Sequence, residues 1–455
     1  MSMREPGAIL LVACYELGHQ PLSVAWPTAF LEREGYAPAV MDVSVEPFDS
    51  ERARRAKLVA ISVPMHTALR LGVMVAKRVR DVNAGCHIAF YGLYATLNAG
   101  HLLTGIADSV MSGELEASLV DLVRTLEDGS RPQASIRPVL AKLDFPAPSR
   151  AALPSLKKYA HLERDDRLEL VGYVEASRGC KHLCRHCPIP PVYGGRFFVV
   201  PVETLLADMR QQVDAGATHI TFGDPDFLNG PGHALAVAQA LHDAFPTLTF
   251  DFTAKIEHLL RHRDRLPELA RLGGAFVVSA AESLSDTVLA HLDKGHTRAD
   301  IETAVRLATE AGITLRPTWV AFTPWTTLDD YRELLGFVES RGLVDAVDPV
   351  QFSIRLLVPP GSLLLDSPAL RPFLGELVDD QFYYRWNHPD SRMEALHVEV
   401  SSLVAGAADR REDAAVTFQR VRELADRHAG VAPRPLSAPA ARRKRPPRLT
   451  EPWFC

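Results

Sequence analysis

Six cysteines occur in this 455-residue chain: Cys14, Cys86, Cys180, Cys184, Cys187 and Cys455. Three of them lie within eight residues, in Ala176-Ser-Arg-Gly-Cys180-Lys-His-Leu-Cys184-Arg-His-Cys187-Pro, a C-x3-C-x2-C spacing. In a reducing compartment such a group means metal binding or catalysis, not disulfides. Three thiolates on one short loop can hold three irons of a [4Fe–4S] cluster and leave the fourth iron open to a substrate or cofactor. The alternative is a zinc site completed by His182 or His186. His186 adjoins Cys187, and adjacent residues rarely converge on one ion, so the cluster is the favoured reading. Cys14 and Cys86 read as small core residues.

The elements that must position this loop can be read from apolar periodicity. Strand-like runs at Val171–Ala176, His219–Phe222, Thr249–Thr253, Ala275–Ser279, Thr314–Val320 and Val350–Leu357 alternate with helical patterns at Val202–Ala215, Gly232–Ala244, Ser285–Leu292, Arg298–Glu310 and Thr327–Arg341. Six such units predict a full or partial α/β barrel, with its chemistry at the carboxyl ends of the strands. The cysteine loop follows the first of these strands. Upstream, runs at Ala8–Ala13, Ala39–Val43, Leu58–Val63, His87–Tyr91 and Ser109–Met111 predict a doubly wound parallel sheet. Residues 131–165 read as a Pro- and Ser-rich linker. The expected division is a doubly wound domain over 1–130, the linker, a partial (β/α)6 barrel over 166–360, a helical region over 361–430 and a Pro/Arg-rich tail over 431–455.

The cysteine spacing after the first strand of a six-unit barrel resembles the radical SAM superfamily. In that family S-adenosylmethionine (SAM) chelates the open iron, and one electron from the cluster cleaves a carbon–sulfur bond. The resemblance implies roles for several residues here. Gly223-Asp224-Pro225 stands where the family often has Gly-Gly-Glu, so Gly223 and Asp224 would hold the SAM amino group. Glu282, after the fourth strand, would bind the SAM ribose or amino-acid end. Arg316, on the fifth, would pair with the SAM carboxylate, and Tyr193 would touch adenine. Lys255 and Glu257 follow the third strand.

A doubly wound domain ahead of the barrel resembles the cobalamin-binding class of these enzymes. That resemblance makes His19, Ser62, Gly92, Gly113 and Glu114 candidates for the cobalamin site. The class's Asp-x-His-x-x-Gly motif is replaced here by Tyr15-Glu-Leu-Gly-His19-Gln-Pro21-Leu22. Several segments, among them Cys187-Pro-Ile-Pro-Pro-Val-Tyr-Gly-Gly-Arg196 and Trp386-Asn-His-Pro-Asp390, are similar to the CUAEP/CCAEP-tail radical SAM proteins. In the present tail Glu451 and Pro452 remain, Arg448 and Leu449 fill the pair positions, and Cys455 ends the chain. The expectation is that this arm folds over the barrel mouth and brings Cys455 to the site as a catalytic thiol.

Composition limits the function classes. Apolar residues make up 47%, charged residues 23%, and the net charge is −6. The tail holds six basic residues between Arg434 and Arg448, so residues 1–433 carry 44 basic and 55 acidic groups, or −11. An acidic body is not built for a phosphate backbone. Nor is there a run of 18 apolar residues, and Met1–Gly7 does not read as a signal peptide. The expectation is a cytoplasmic enzyme that touches neither nucleic acid nor membrane. It would use a [4Fe–4S] cluster, SAM and cobalamin, act on a small molecule or peptide, and receive electrons from a flavodoxin or ferredoxin. Cobalamin-dependent methyl transfer is the leading reaction. The alternatives are cobalamin-independent transfer of a 3-amino-3-carboxypropyl group, adenosyl radical chemistry, and a non-catalytic metal-binding module.

Overall fold

The computed structural model describes residues 2–130, 132, 136–432 and 445–451. Ile9–Ala13 (β1), Ala39–Asp42 (β2), Leu58–Ser62 (β3), His87–Tyr91 (β4) and Ser109–Met111 (β5) form a parallel sheet in the order β2-β1-β3-β4-β5. All five residues of β1 and of β3 are buried, as apolar strands covered on both faces must be. The strand order reverses between β1 and β3. In such sheets the ligand crevice lies outside the carboxyl ends at that switch point.

His161–Arg164 (β6) and Arg167–Val174 (β7) form an antiparallel hairpin that begins the second sheet. Ser177–Gly179 (β8) and Phe197–Val199 (β9) pair around the cysteine loop. His219–Phe222 (β10), Thr249–Thr253 (β11), Gly274–Glu282 (β12) and Thr314–Trp319 (β13) then run parallel to β7. The result is a curled half-barrel of five parallel strands, extended at one edge by β6.

The sixth strand expected at Val350–Leu357 does not form. Pro349–Phe352 is a 3-10 turn, and Arg355 makes an isolated bridge to Phe322. The physical reason is local. Pro349 lacks a ladder donor, and the Trp319 backbone N–H that a sixth strand would satisfy donates to the Gln351 side chain at 2.9 Å instead. The region after it is not purely helical either. Leu374–Val378 (β14) and Tyr383–Trp386 (β15) form a hairpin before the helices Ser391–Asp409 and Ala414–His428.

Two further segments depart from expectation. The stretch read as a linker is a packed strap. Val139 pairs with Gly113, and Phe145 is buried edge-on against Trp26 with ring centres 5.0 Å apart. Arg150 is buried too. It donates to Gln20 of the first domain (2.8 Å), to Asp208 on helix Val202–Asp214 (2.8 Å) and to the Tyr173 carbonyl of β7 (2.7 Å). The tail, expected to lack packing, returns as Arg448–Leu449 (β16), which pairs antiparallel with β6. Leu449 packs there against Leu162, Val171 and Phe276.

Arg150→Met leaves the Asp208 carboxylate buried without its counter-charge and should cost about 3–5 kcal/mol of stability in urea denaturation. Adding Asp208→Leu should recover most of that loss. A single-variant effect below about 1 kcal/mol, typical of exposed pairs, would contradict the role given to this cation.

Candidate functional site

β7 delivers the chain to the cysteine loop at the carboxyl end of the half-barrel. Gly179, just before the first cysteine, has φ +78°, and a Cβ there would lie 2.5 Å from the Arg196 carbonyl and 2.6 Å from the Tyr193 ring. The close approach requires glycine. Cys180 and Cys184 are buried and Cys187 is half-buried, all three as free thiols. Burial pushes the Cys187 thiol up to about 12 and raises that of Cys180. Lys255, itself buried, directs its Nζ at the Cys184 sulfur, 3.6 Å away. A buried ammonium there favours thiolate and metal-bound sulfur.

Glu282 ends β12 at φ +65°, beside a register shift against β13. Strain of this kind persists only where surroundings enforce it. Here the enforcers are Lys294 at 3.1 Å and His186, from the cysteine loop, at 3.0 Å. Burial alone would raise the Glu282 carboxyl, but these two neighbours hold it well below the usual carboxylate range. The carboxylate therefore locks the cysteine loop to the fourth parallel strand.

Gly223 is required by its neighbour, since a Cβ would fall 2.1 Å from the Tyr173 hydroxyl oxygen. Asp224 accepts from the Ala176 N–H (2.8 Å) and the Ser177 hydroxyl (2.6 Å), holding the start of the loop. Tyr193 lies in a small apolar cluster with Cys180, Ile189 and Val192. Its hydroxyl donates to Glu114, after β5, at 2.9 Å. Arg316 sits apart from this group. Its partners are Asp348 at 3.1 Å and the Pro447 carbonyl of the tail at 3.4 Å.

The candidates in the first sheet lie at carboxyl ends. Ser62 closes β3 and is buried. Gly92, at φ +104°, lets the backbone approach Val63 to within 3.0 Å of where a Cβ would be. The space that a side chain on Gly113 would need is filled by the Val139 carbonyl of the strap, 2.2 Å from that Cβ position. His19 is buried. It stacks on Tyr173 with ring centres 4.6 Å apart, and its Nε2 lies 2.9 Å from Glu451 of the tail. Cys455 lies outside the described residues.

Sequence reasoning missed Arg178. It pairs with Glu116 at 2.7 Å and Glu114 at 3.4 Å across the two sheets, and with Glu175 at 3.6 Å. An arginine two residues before the first cysteine was the available signal. Glu16, which receives the N–H of Leu22 at 3.0 Å, and Lys294 were also missed.

Residues 174–335 match the family model for the Radical SAM superfamily. They form a radical SAM domain. A relative at the sequence level is the ribosomal protein uS12 methylthiotransferase RimO of Porphyromonas gingivalis, 28% identical over 207 residues, which covers 40% of this chain and 45% of that protein. The chain thus spans less than half the length of that relative. Among solved structures, the cobalamin-dependent SAM radical enzyme OxsB, with aqua-cobalamin and SAM bound, superposes with TM-score 0.68 at 14% identity, covering 88% of this chain and 67% of OxsB. The radical SAM methyltransferase TsrM of Kitasatospora setae gives 0.57 at 17% identity, covering 74% and 71%. Both share the fold.

A radical SAM domain implies a [4Fe–4S] cluster and SAM, and the residues fit the cluster. Three free thiols share one loop beside the Lys255 ammonium. Of the histidines of the zinc alternative, His186 is engaged by Glu282. Among the described residues no helix is long and apolar enough to cross a membrane.

Burial pushes the carboxyls of Asp224 and Glu16 each up to about 7. An acid whose pKa is higher in the fold holds an extra proton there. The contribution of these two groups to stability is therefore greatest below the unfolded value, near pH ~4, and falls as pH rises towards 7. Asp224→Asn should flatten part of that fall, read as urea midpoints in steps from pH 4 to 8. Equal slopes for both proteins would remove Asp224 from the account.

Proposed function

We propose that this protein is a cobalamin-dependent radical SAM methyltransferase acting on a small-molecule or peptide substrate. The observation that carries the reading is the junction of the two sheets. Arg178 and Tyr193, on either side of the cysteine loop, bond directly to Glu114 and Glu116 at the carboxyl edge of the first sheet. The crevice where a doubly wound sheet takes its ligand therefore opens beside the cysteines. The likeness to OxsB, a cobalamin-dependent SAM radical enzyme, and to TsrM, a radical SAM methyltransferase, supports the same reading.

In this reading Cys180, Cys184 and Cys187 hold the cluster, which when bound supplies the electron that cleaves SAM. Burial holds Cys187 and Cys180 towards the protonated thiol, and Lys255, 3.6 Å from the Cys184 sulfur, would offset the negative charge of cluster-bound sulfur. Gly223 makes room for the Tyr173 hydroxyl at the floor of the site. Asp224 and Glu282 fix the two ends of the loop, through Ser177 and through His186. His19 is engaged by Glu451 and Tyr173, so cobalamin on the first sheet would be held by residues other than His19. A flavodoxin or ferredoxin of the cytoplasm would supply the electron, and Cys455 stays the candidate thiol at the tail's end.

The test uses anaerobically reconstituted protein with SAM, a reductant and hydroxocobalamin, with nucleosides read by mass spectrometry and cobalamin by its visible spectrum. Retained cobalamin, with S-adenosylhomocysteine formed alongside 5′-deoxyadenosine, is the expected outcome, and Cys184→Ala should abolish both products. Methylthioadenosine as the main product would replace methyl transfer with 3-amino-3-carboxypropyl transfer. Cluster-loaded protein that consumes no SAM would end the enzymatic reading.

A further inference from the structure

His182, Asp226 and His258 meet beside the cysteine loop and have no part in the roles above. They come from three elements: the cysteine loop, the turn after β10, and helix Ile256–Arg261. Asp226 is 0% exposed and His258 3%. The Oδ1 of Asp226 accepts from the Leu228 N–H at 3.1 Å. Its Oδ2 is buried with no hydrogen-bond partner, and so is the Nδ1 of His258.

These two unpartnered atoms lie only 2.7 Å apart. A ring N–H aimed at the oxygen over that distance would be a short hydrogen bond. The pair makes no hydrogen bond here. A pair of buried donor atoms left without a hydrogen bond is available to one ion, about which it would spread to the ~3.3 Å that tetrahedral bonds of ~2.0–2.2 Å require. The third residue completes the set. His182 Nε2 is 3.6 Å from Asp226 Oδ2, and the His182 and His258 rings lie with centres 4.6 Å apart. One ligand atom from each of the three residues lies within 4.8 Å of the others.

We propose that His182, Asp226 and His258 bind one divalent transition-metal ion of the zinc class, separate from the three-cysteine site. Two imidazoles with one carboxylate suit zinc or ferrous iron, not magnesium or calcium, which take all-oxygen shells. Three protein ligands leave a position open to water or another ligand. The ion ties the cysteine loop to the ends of β10 and β11. Its donors are all distinct from the cysteines and from the first sheet, so the site stands whether or not cobalamin binds.

The probe is zinc chloride alone, added to full-length protein carrying Cys180→Ala, Cys184→Ala and Cys187→Ala so that no thiol competes. After desalting, elemental analysis should find about one zinc per chain. Adding Asp226→Asn or His258→Gln should weaken zinc binding at least ~100-fold, more than loss of an outer-shell partner does. Cluster-loaded wild-type protein, which does not depend on the triple variant folding, should carry the same zinc beside about four irons. Zinc absent from both proteins overturns the site, as does zinc that Asp226→Asn and His258→Gln leave unchanged. If Asp226→Asn leaves zinc in place but weakens SAM binding, the free carboxylate oxygen belongs to the SAM ammonium and the metal site is likewise overturned.

Discussion

The position of the cysteine loop depends on one buried cation. Arg178 is enclosed by Glu116, Glu114 and Glu175, and its guanidinium also lies over the Phe145 ring of the strap, 4.9 Å from the ring centre. Burial would lower its affinity for a proton, but the surrounding carboxylates outweigh this and raise it. A guanidinium taken out of water is tolerated only when its donors meet acceptors. Here the acceptors come mainly from the other sheet. The cation therefore satisfies its own requirement only if the carboxyl ends of the two sheets face each other. Tyr193 repeats the constraint through Glu114, and Gly179 allows the backbone between them to pass close to Arg196. Substituting Arg178 by an apolar residue would leave the buried carboxylates of Glu114 and Glu116 without their counter-charge on the other side of the junction.

How much of this was legible in the sequence follows from the range of each interaction. The parallel strands announce themselves because strands covered on both faces are nearly continuous apolar runs, and β1 and β3 are such runs. The helices between them have one-sided periodicity, sharpened at Thr297 and Thr327 by capping boxes with Asp300 and Asp330. The false sixth strand was also apolar. Composition could not reveal that the Gln351 amide would take the ladder donor of Trp319. The strap was invisible for the opposite reason. It has no period, because it is held by single long-range anchors, Phe145 against Trp26 of the first domain and Arg150 between Gln20 of that domain and Asp208 and Tyr173 of the barrel.

The site divides in the same way. Three cysteines within one turn of loop are a local pattern, and a local pattern can be read. The positions of Gly223, Asp224 and Glu282 at strand ends were also readable, but their partners were not. Asp224 holds Ser177, 47 residues away, and Glu282 holds His186, 96 away. Both carboxylates serve the loop before any ligand arrives. Arg316 looked equivalent by strand order. It points instead to Asp348 and the tail, because its position in β13 is fixed by pairing with Val278, not with the strand's last residues.

The tail shows how strand direction carries information that composition does not. β6 runs against β7, and β16 runs against β6, so β16 points the same way as β7. A chain leaving Leu449 is therefore directed to the carboxyl ends of the barrel strands, where the cysteine loop lies. The next residues confirm the heading. Thr450 donates its N–H to the His161 carbonyl at 2.8 Å, and Glu451 reaches His19 in the loop after β1. The same loop is gripped from the other side, where the Ala160 N–H donates to the Gly18 carbonyl at 2.8 Å. Between these contacts His19 stacks on Tyr173, whose hydroxyl fills the space beside Gly223. Tail, first sheet and barrel floor thus form one column of contacts.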